Sequence, residues 1–235
     1  MPRTPAITAT EAPWRAGWRG ARRLLWPGLA LQAMALTLVM AYYRHPPTRE
    51  ALEAVTAFRA RTGFFFGMVS TGLVGGLVPL LYFRSRPATR QRYSARDGAG
   101  LVAFWAYKGL EIELFYRLLA HTVGERPDAT TIAIKTAIDQ FIYCPFFAVP
   151  TTVLAYAWIG AHYDARRVLA DLRAGSWYRR RVLPVLISNL GVWVPAVCII
   201  YAMPTPLQLP LQNLVLCFFT LLLAHVTETT QQAQA

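Results

Sequence analysis

Two uncharged apolar stretches constrain this chain more than any other feature of its sequence. Residues 24–43 and 63–83 each run for at least twenty residues without a charged side chain. A bilayer core about 30 Å thick is crossed by about 20 helical residues, which is the length of both stretches. Of the 235 residues, 55% are hydrophobic and 15% charged, which departs from the average of soluble proteins. We therefore predict an all-α fold, a polytopic membrane helical bundle.

Four further apolar segments complete a prediction of six transmembrane helices. They are residues 98–120, 130–160, 182–203 and 207–226. Proline removes a backbone donor and bends a helix that contains it, so the fourth and fifth helices are predicted to be kinked. The prolines concerned are Pro145, Pro150 and Pro195.

The basic residues between these segments predict the orientation of the bundle. The chain has 24 Lys and Arg against 12 Asp and Glu, a formal net charge of +12. If all six segments cross, 16 of the basic residues in the connectors fall on one side and 5 on the other. Cytoplasmic loops retain positive charge, so both termini are predicted on the cytoplasmic or matrix side. A bacterial inner membrane and a mitochondrial or peroxisomal membrane both remain open.

The same division predicts three regions along the chain. Residues 1–23 form a basic N-terminal arm, residues 24–226 a single transmembrane bundle, and residues 227–235 a polar tail. The arm carries one acidic residue among five arginines, so an organelle transit peptide is an alternative interpretation. The arginine-rich connectors favour anionic lipid headgroups as partners over nucleic acid, because they alternate with apolar blocks and form no continuous basic stripe.

Charged and amide side chains inside the third and fourth segments are the candidate functional residues. They are Lys108, Glu111, Glu113, Lys135, Asp139 and Gln140. Charge at membrane depth is costly and usually faces a partner or a water-filled cavity. Matching depths on two antiparallel helices predicts the pairs Lys108–Asp139 and Glu111–Lys135. These residues therefore form either a polar constriction in a solute path or a closed ionic latch.

The second segment is rich in glycine, which predicts close helix packing. Its small-residue pairs are Gly63 with Gly67 and Gly72 with Gly76. At about 100° per residue the two pairs point to nearly opposite sides, so we expect two neighbouring helices to approach this one closely.

No familiar catalytic or metal-binding pattern occurs in the sequence. It contains no GxxxxGK[ST], HExxH or GxSxG motif, and its three cysteines form no CxxC. The four histidines have no metal-ligand spacing. We therefore predict that the protein is not an enzyme and binds neither a metal nor another cofactor.

A series of residues in the second half of the chain resembles a known family of membrane proteins. The series comprises Gly109, Phe115, Tyr116, Leu119, Lys135, Asp139, Gln140 and Pro145, followed by Pro184, Asn189 and Pro195. It is similar to the motifs of the Mpv-seventeen and peroxisomal membrane protein twenty-two family over residues 99–226. The chain departs from the family pattern at Leu110, where the family has proline, and at Phe115 and Leu183, where it has tryptophan.

The resemblance implies a small polytopic protein of a peroxisomal, mitochondrial inner or vacuolar membrane with pore-forming behaviour. It also implies that Lys135, Asp139 and Gln140 shape a pore and that Pro145 bends the helix presenting them. We thus predict a channel or pore for small solutes, with membrane lipids, small solutes and a second copy of the chain as the partners to consider. The alternative is a non-transporting membrane scaffold or assembly subunit held together by the ionic latch.

Overall fold

Helices account for every secondary-structure element that the structure describes. The computed structural model describes residues 12–86, 89 and 94–232. Ten α-helices and three short π-helical segments lie within these ranges. The predicted all-α fold is therefore confirmed for the described part of the chain.

The helices follow one another with short connections. They are α1 (Pro13–Arg44), α2 (Pro46–Thr62), α3 (Phe64–Thr71), α4 (Val78–Ser85), α5 (Ala95–Val123), α6 (Ala129–Ile138), α7 (Val149–Gly160), α8 (Ala165–Arg173), α9 (Leu183–Tyr201) and α10 (Thr205–Gln232). The π-helical segments, here π1, π2 and π3, are Gly72–Leu77, Asp139–Ala148 and Tyr178–Val182. Each joins or extends α-helices without a break, so α3 to α4, α6 to α7, and π3 to α9 form three long helices.

Four of the described helices are long and apolar enough to cross a membrane. They are Gly17–Arg44, Phe64–Ser85, Ala129–Gly160 and Tyr178–Tyr201. Their positions match the first, second, fourth and fifth predicted segments. These helices are consistent with an integral membrane protein.

Helical structure extends beyond the six predicted segments in three places. Helix α1 begins at Pro13, so residues 13–23 of the predicted basic arm are helical and continue into the first long helix. Residues 1–11 lie outside the described ranges. Helices α2 and α8 lie in connectors where no helix was predicted. Proline at the first or second position of α1 and α2 favours these starts, because the amide that proline lacks would be unpaired there.

Helices α1 and α9 run parallel to one another in the most extensive helix pair of the fold. A Cβ atom at Gly17 would lie 2.6 Å from the Cβ of Ile187, and one at Gly28 would lie 2.8 Å from Cγ2 of Val192. At the far end the Tyr43 hydroxyl donates to the carbonyl of Ala202 at 2.8 Å. Small residues on α1 therefore allow the two backbones to approach closely.

The glycines of α3 and π1 face α5, and a Cβ at Gly67 would also lie 3.1 Å from Cδ2 of Leu209 on α10. A Cβ at Gly67 would lie 3.0 Å from the carbonyl of Gly109, and one at Gly76 would lie 2.7 Å from Cα of Val102. Gly72 also faces α5. Two helices, α5 and α10, therefore approach this segment, and Gly67, Gly72 and Gly76 share the side that faces α5, because side-chain angles calculated for an α-helix do not hold through the π-helical turn.

Gly63 has a different role from the other three glycines. No atom lies within 4 Å of a Cβ built at this position, and its φ of +56° is one that L side chains rarely adopt. It ends α2 and precedes α3, so it turns the chain and does not pack a helix.

All three π-helical segments are associated with a proline. The residues just before Pro79, Pro150 and Pro184 each donate their amide to the carbonyl five residues back, from Val78 to Leu73, Val149 to Cys144 and Leu183 to Tyr178. A proline ring clashes with the carbonyl four residues before it, and a wider turn relieves that clash. Pro145 lies inside π2, whereas Pro195 lies inside the α-helical α9.

Candidate functional site

The predicted polar residues occupy the interior of the helical bundle. Glu113, Lys135 and Lys108 expose 0%, 2% and 3% of their surface, and Asp139 and Gln140 expose 4% each. Glu111 is nearly as deep, with 13% of its side chain exposed. The structure divides them between two groups. We call the first the central cluster, made of Lys108, Glu111, Lys135, Asp139, Gln140, Tyr143 and Tyr201, and the second the Arg59 node, made of Arg59, Glu113 and Arg117.

In the central cluster, Glu111 joins α5 to π2. The Lys108 ammonium forms an ion pair with Glu111 one turn away on α5, and the Tyr143 hydroxyl donates to the same carboxylate oxygen at 2.5 Å. Phe115 stacks on the Tyr143 ring with centroids 4.0 Å apart. The Lys108 ammonium lies 5.6 Å from the centre of that ring. The position of Tyr143 is therefore set by both a charged and an aromatic contact.

Asp139 is surrounded by neutral donors. Its Oδ2 accepts a hydrogen bond from the Tyr201 hydroxyl at 2.5 Å, and its Oδ1 accepts one from the Gln140 amide at 3.0 Å. The Cys144 thiol lies 3.4 Å from the same Oδ1. Among the described residues no Lys, Arg or His nitrogen lies within 4.0 Å of this carboxylate, so only neutral groups form hydrogen bonds with it.

The predicted pairs Lys108–Asp139 and Glu111–Lys135 are wrong. Lys108 pairs with Glu111 on its own helix, and the Lys135 ammonium lies 5.8 Å from the centre of the Tyr201 ring. Depth matching located the right helices but could not give the faces, because π2 begins at Asp139 and changes the angular spacing of the residues after it.

The Arg59 node connects three helices through one buried carboxylate. The Arg59 guanidinium forms an ion pair with Oε2 of Glu113, and Arg117 donates to Oε1 of Glu113 at 2.8 Å. Arg59 also donates to the carbonyls of Thr205, at 3.2 Å, and Pro206 at the start of α10. Arg59 exposes 5% of its surface although it belongs to a connector, and α2 is thereby fixed to α5 and α10.

Sequence reasoning missed Arg59, although the local pattern of α2 contains a signal for it. Leu52, Val55 and Arg59 recur at spacings of three and four residues, which places the arginine on the apolar side of the helix. An arginine on such a face is either desolvated against a carboxylate or extended to the surface. The structure shows the first arrangement.

A polar seam on α10 was also missed, although Gln208, Gln212 and Asn213 are visible in the sixth predicted segment. The Tyr116 hydroxyl bonds to Gln212, and Asn213 bonds to Thr71 and Ser70 at 2.9 Å each. The Tyr116 ring lies edge-on to Tyr201 at 5.5 Å, which connects the seam to the central cluster.

A few buried polar atoms within the described residues have no hydrogen-bond partner. They are Oε2 of Glu111, Oγ1 of Thr205 and Oε1 of Gln208. Lys135 likewise has no carboxylate within ion-pair distance in the described part of the chain. Glu111 and Lys135 therefore retain unused capacity for a water molecule or a polar solute.

Some positions of the family-like motif lie in the core of this region and others are half-buried. Gly109 faces the Gly67 carbonyl, and Tyr116 and Leu119 expose 1% and 2% of their surface. Pro184 is buried in the first turn of α9, and Asn189 is half-buried further along that helix.

Comparison with known proteins assigns no relative to this chain. No family model matches it, and neither a curated protein nor a solved structure is significantly similar. Within the described residues, no three His, Cys, Asp or Glu side chains are grouped so that they could hold a metal ion. The three cysteines are free and partly buried.

Proposed function

We propose that the protein is an integral membrane protein of six crossing helices that conducts small solutes. In this proposal α5 and α10 cross the membrane beside the four more apolar helices. The Lys108–Glu111–Tyr143 contact supports this for α5, since it places the middle of α5 beside the middle of the Ala129–Gly160 helix. The bonds of Asn213 to Ser70 and Thr71 support it for α10 in the same way.

Six crossings would place both termini on the side that carries most of the arginines. Of the five basic residues counted on the other side, Arg59 is buried against Glu113, so it does not act there as a loop charge. Accessibility labels at residues 45 and 127 should then react from one side and a label at residue 86 from the other. Reaction of residues 45 and 86 from the same side would remove a crossing and refute the proposal.

The observation that carries the transport proposal is the unused polar capacity inside the central cluster. Glu111 keeps one buried oxygen without a partner, and the Lys135 ammonium lies 5.8 Å from the centre of the Tyr201 ring with no carboxylate within 4.0 Å among the described residues. A site that served only to hold helices together would gain stability by pairing both groups. We infer that these groups contact water or solute along a conducting path. The Lys108–Glu111 ion pair closes this path in this conformation.

Flux measurements in liposomes test this proposal. Purified full-length protein should pass ions or small metabolites, and Glu111→Gln or Lys135→Gln should change ion selectivity, since charged groups at a constriction determine which ions enter. Glu53→Gln, on the exposed side of α2, is the matched control and should leave selectivity unchanged. Folded protein that passes no solute at any voltage or pH would refute the transport proposal.

A second candidate function is a membrane scaffold or assembly subunit. It is favoured by the saturation of the other buried charges, because both oxygens of Glu113 and of Asp139 accept hydrogen bonds. A scaffold predicts that the same substitutions lower stability while wild type and variants alike show no flux. Under either candidate we propose that the protein catalyses no covalent reaction. We also propose that it is a member of the Mpv-seventeen and peroxisomal membrane protein twenty-two family, which its motif positions resemble.

A further inference from the structure

Helix α8 is amphipathic: its large apolar side chains lie on one side of the helix and its charged side chains lie around the rest of its circumference. At about 100° per residue, Val168, Leu169 and Leu172 fall within one arc of about 100°. Within this face Leu169 exposes 47% of its surface, Val168 and Leu172 are half-buried, and no residue of α8 is fully buried by the rest of the protein. An apolar helix face left open by protein is stabilised when another apolar phase removes it from water.

The chain places α8 where it turns back between two long apolar helices. Residues 161–164 connect it to the Ala129–Gly160 helix, and residues 174–177 connect it to the Tyr178–Tyr201 helix. The first connection is fixed to α5, because the Tyr163 hydroxyl donates to the carbonyl of Arg96 at 2.8 Å. With both neighbours apolar enough to cross a membrane, α8 is held at the edge of the bilayer.

The charges around the apolar face differ from one edge to the other. Arg166 and Arg173 border the face on one edge, and both are exposed with no ion pair among the described residues. Asp171 borders it on the other edge, where Arg180 and Arg181 lie 3.3 Å from its two oxygens. The acidic charge is therefore neutralised by the protein, whereas the two bordering arginines are left for an external anion.

We propose that α8 docks on anionic phospholipid headgroups of the leaflet that the neighbouring helices cross. Leu169 enters the boundary between headgroups and acyl chains, and Arg166 and Arg173 extend from its edge to bind phosphate oxygens. An anionic bilayer fits better than a protein partner for two reasons. The four-residue connections hold α8 at the membrane, and its apolar face extends over only about one helix turn, from Val168 to Leu172. This inference goes beyond solute transport and holds for a scaffold as well.

A fluorophore on α8 in lipid nanodiscs tests the proposal. Leu169→Cys, in full-length protein whose three native cysteines are replaced by alanine, is labelled with an environment-sensitive dye. Nanodiscs of phosphatidylcholine with increasing phosphatidylglycerol should shift the emission to that of an apolar environment. Arg166→Gln with Arg173→Gln should lower the equilibrium constant for docking about fivefold for each arginine removed at low salt, and salt should weaken docking in the unsubstituted chain.

Arg167→Gln is the matched control on the same helix. Arg167 lies opposite the apolar face and pairs with Asp164 at 3.1 Å, so its substitution removes the same charge but should change docking much less. An equal effect of Arg167→Gln would show that only net charge matters and would overturn the assignment to one face. Emission that reports water in every lipid mixture, or that never depends on phosphatidylglycerol, would also overturn it.

Discussion

Replacing Arg59 by methionine should destabilise the folded protein much more than replacing an exposed arginine of the same helix. The substitution leaves Glu113, which is fully buried, with Arg117 as its remaining charged partner. Breaking a buried ion pair by removing one member costs on the order of 3–5 kcal/mol. The Arg117 side chain is 51% exposed and is fixed less firmly than Arg59, so it compensates in part. We therefore expect a loss of about 3 kcal/mol, the lower end of that range.

A double-mutant cycle separates this pair from general effects of the substitution. Glu113→Leu alone should also be strongly destabilising, because it leaves the Arg59 guanidinium buried with only two carbonyl partners. The double variant should be close to wild type, since a buried pair replaced by apolar residues of similar size is often neutral. Reversible unfolding in mixed micelles gives the four free energies, and the coupling should be close to the sum of the two single losses.

The control is Arg49→Met on the exposed side of α2. Arg49 pairs with Glu53 at 2.8 Å, but both side chains are more than half exposed, so its loss should not change stability measurably. Additive effects of Arg59→Met and Glu113→Leu would show that the two residues do not meet. An Arg59→Met variant as stable as Arg49→Met would refute the conclusion that Arg59 fixes α2 to the bundle.

Three further predictions test other parts of the fold. Gly109→Ala should destabilise the folded protein by about 1–3 kcal/mol, because a Cβ there meets the backbone of α3. Gly160→Ala is the control and should not change stability, because the space around Gly160 is open. Equal stabilities of the two variants would contradict the close approach of α3 and α5. Tyr143→Phe should cost about 1.5–3 kcal/mol through loss of its hydrogen bond to the charged Glu111, and unchanged unfolding would refute that contact. Hydrogen bonds from Thr131 at the start of α6 lower the pKa of Asp128 below its ordinary value. The contribution of Asp128 to folding stability is therefore full above the pKa of the unfolded chain, about 3.9. It is lost as the pH falls through the lower pKa of the folded protein. Asp128→Asn should therefore show less loss of thermal stability over that range than wild type, and identical pH profiles would exclude this role.

The long helices could be predicted from the sequence because hydropathy is a local property. Segments 24–43, 63–83, 130–160 and 182–203 each lie within or almost within one of the four apolar helices. The short helices α2 and α8 could not be found this way, since their apolar residues recur on one side only and their average composition is polar. Periodicity within the connectors, and not hydropathy, would have indicated them.

The polar residues of the site could be predicted, but their partners could not. Charge inside an apolar segment is visible in one sequence window, and this selected Lys108, Glu111 and Asp139. The partner of Glu113 is 54 positions away in a connector, and that of Asp139 is a tyrosine 62 positions away. No local pattern encodes such contacts, and the π-helical turns further shift the faces on which a helical projection depends.

The parallel packing of α1 on α9 imposes an order on biosynthesis. The residues that join these helices, such as Gln32 and Gly191 at 3.2 Å, are 159 positions apart. Chains are synthesised from the amino terminus, so α1 is made long before its main partner exists. During that interval its glycine-lined side lacks the helix that covers it in the folded protein. A nascent chain halted before residue 178 should therefore retain an exchangeable α1, and release of the remaining residues should close the bundle in one late step.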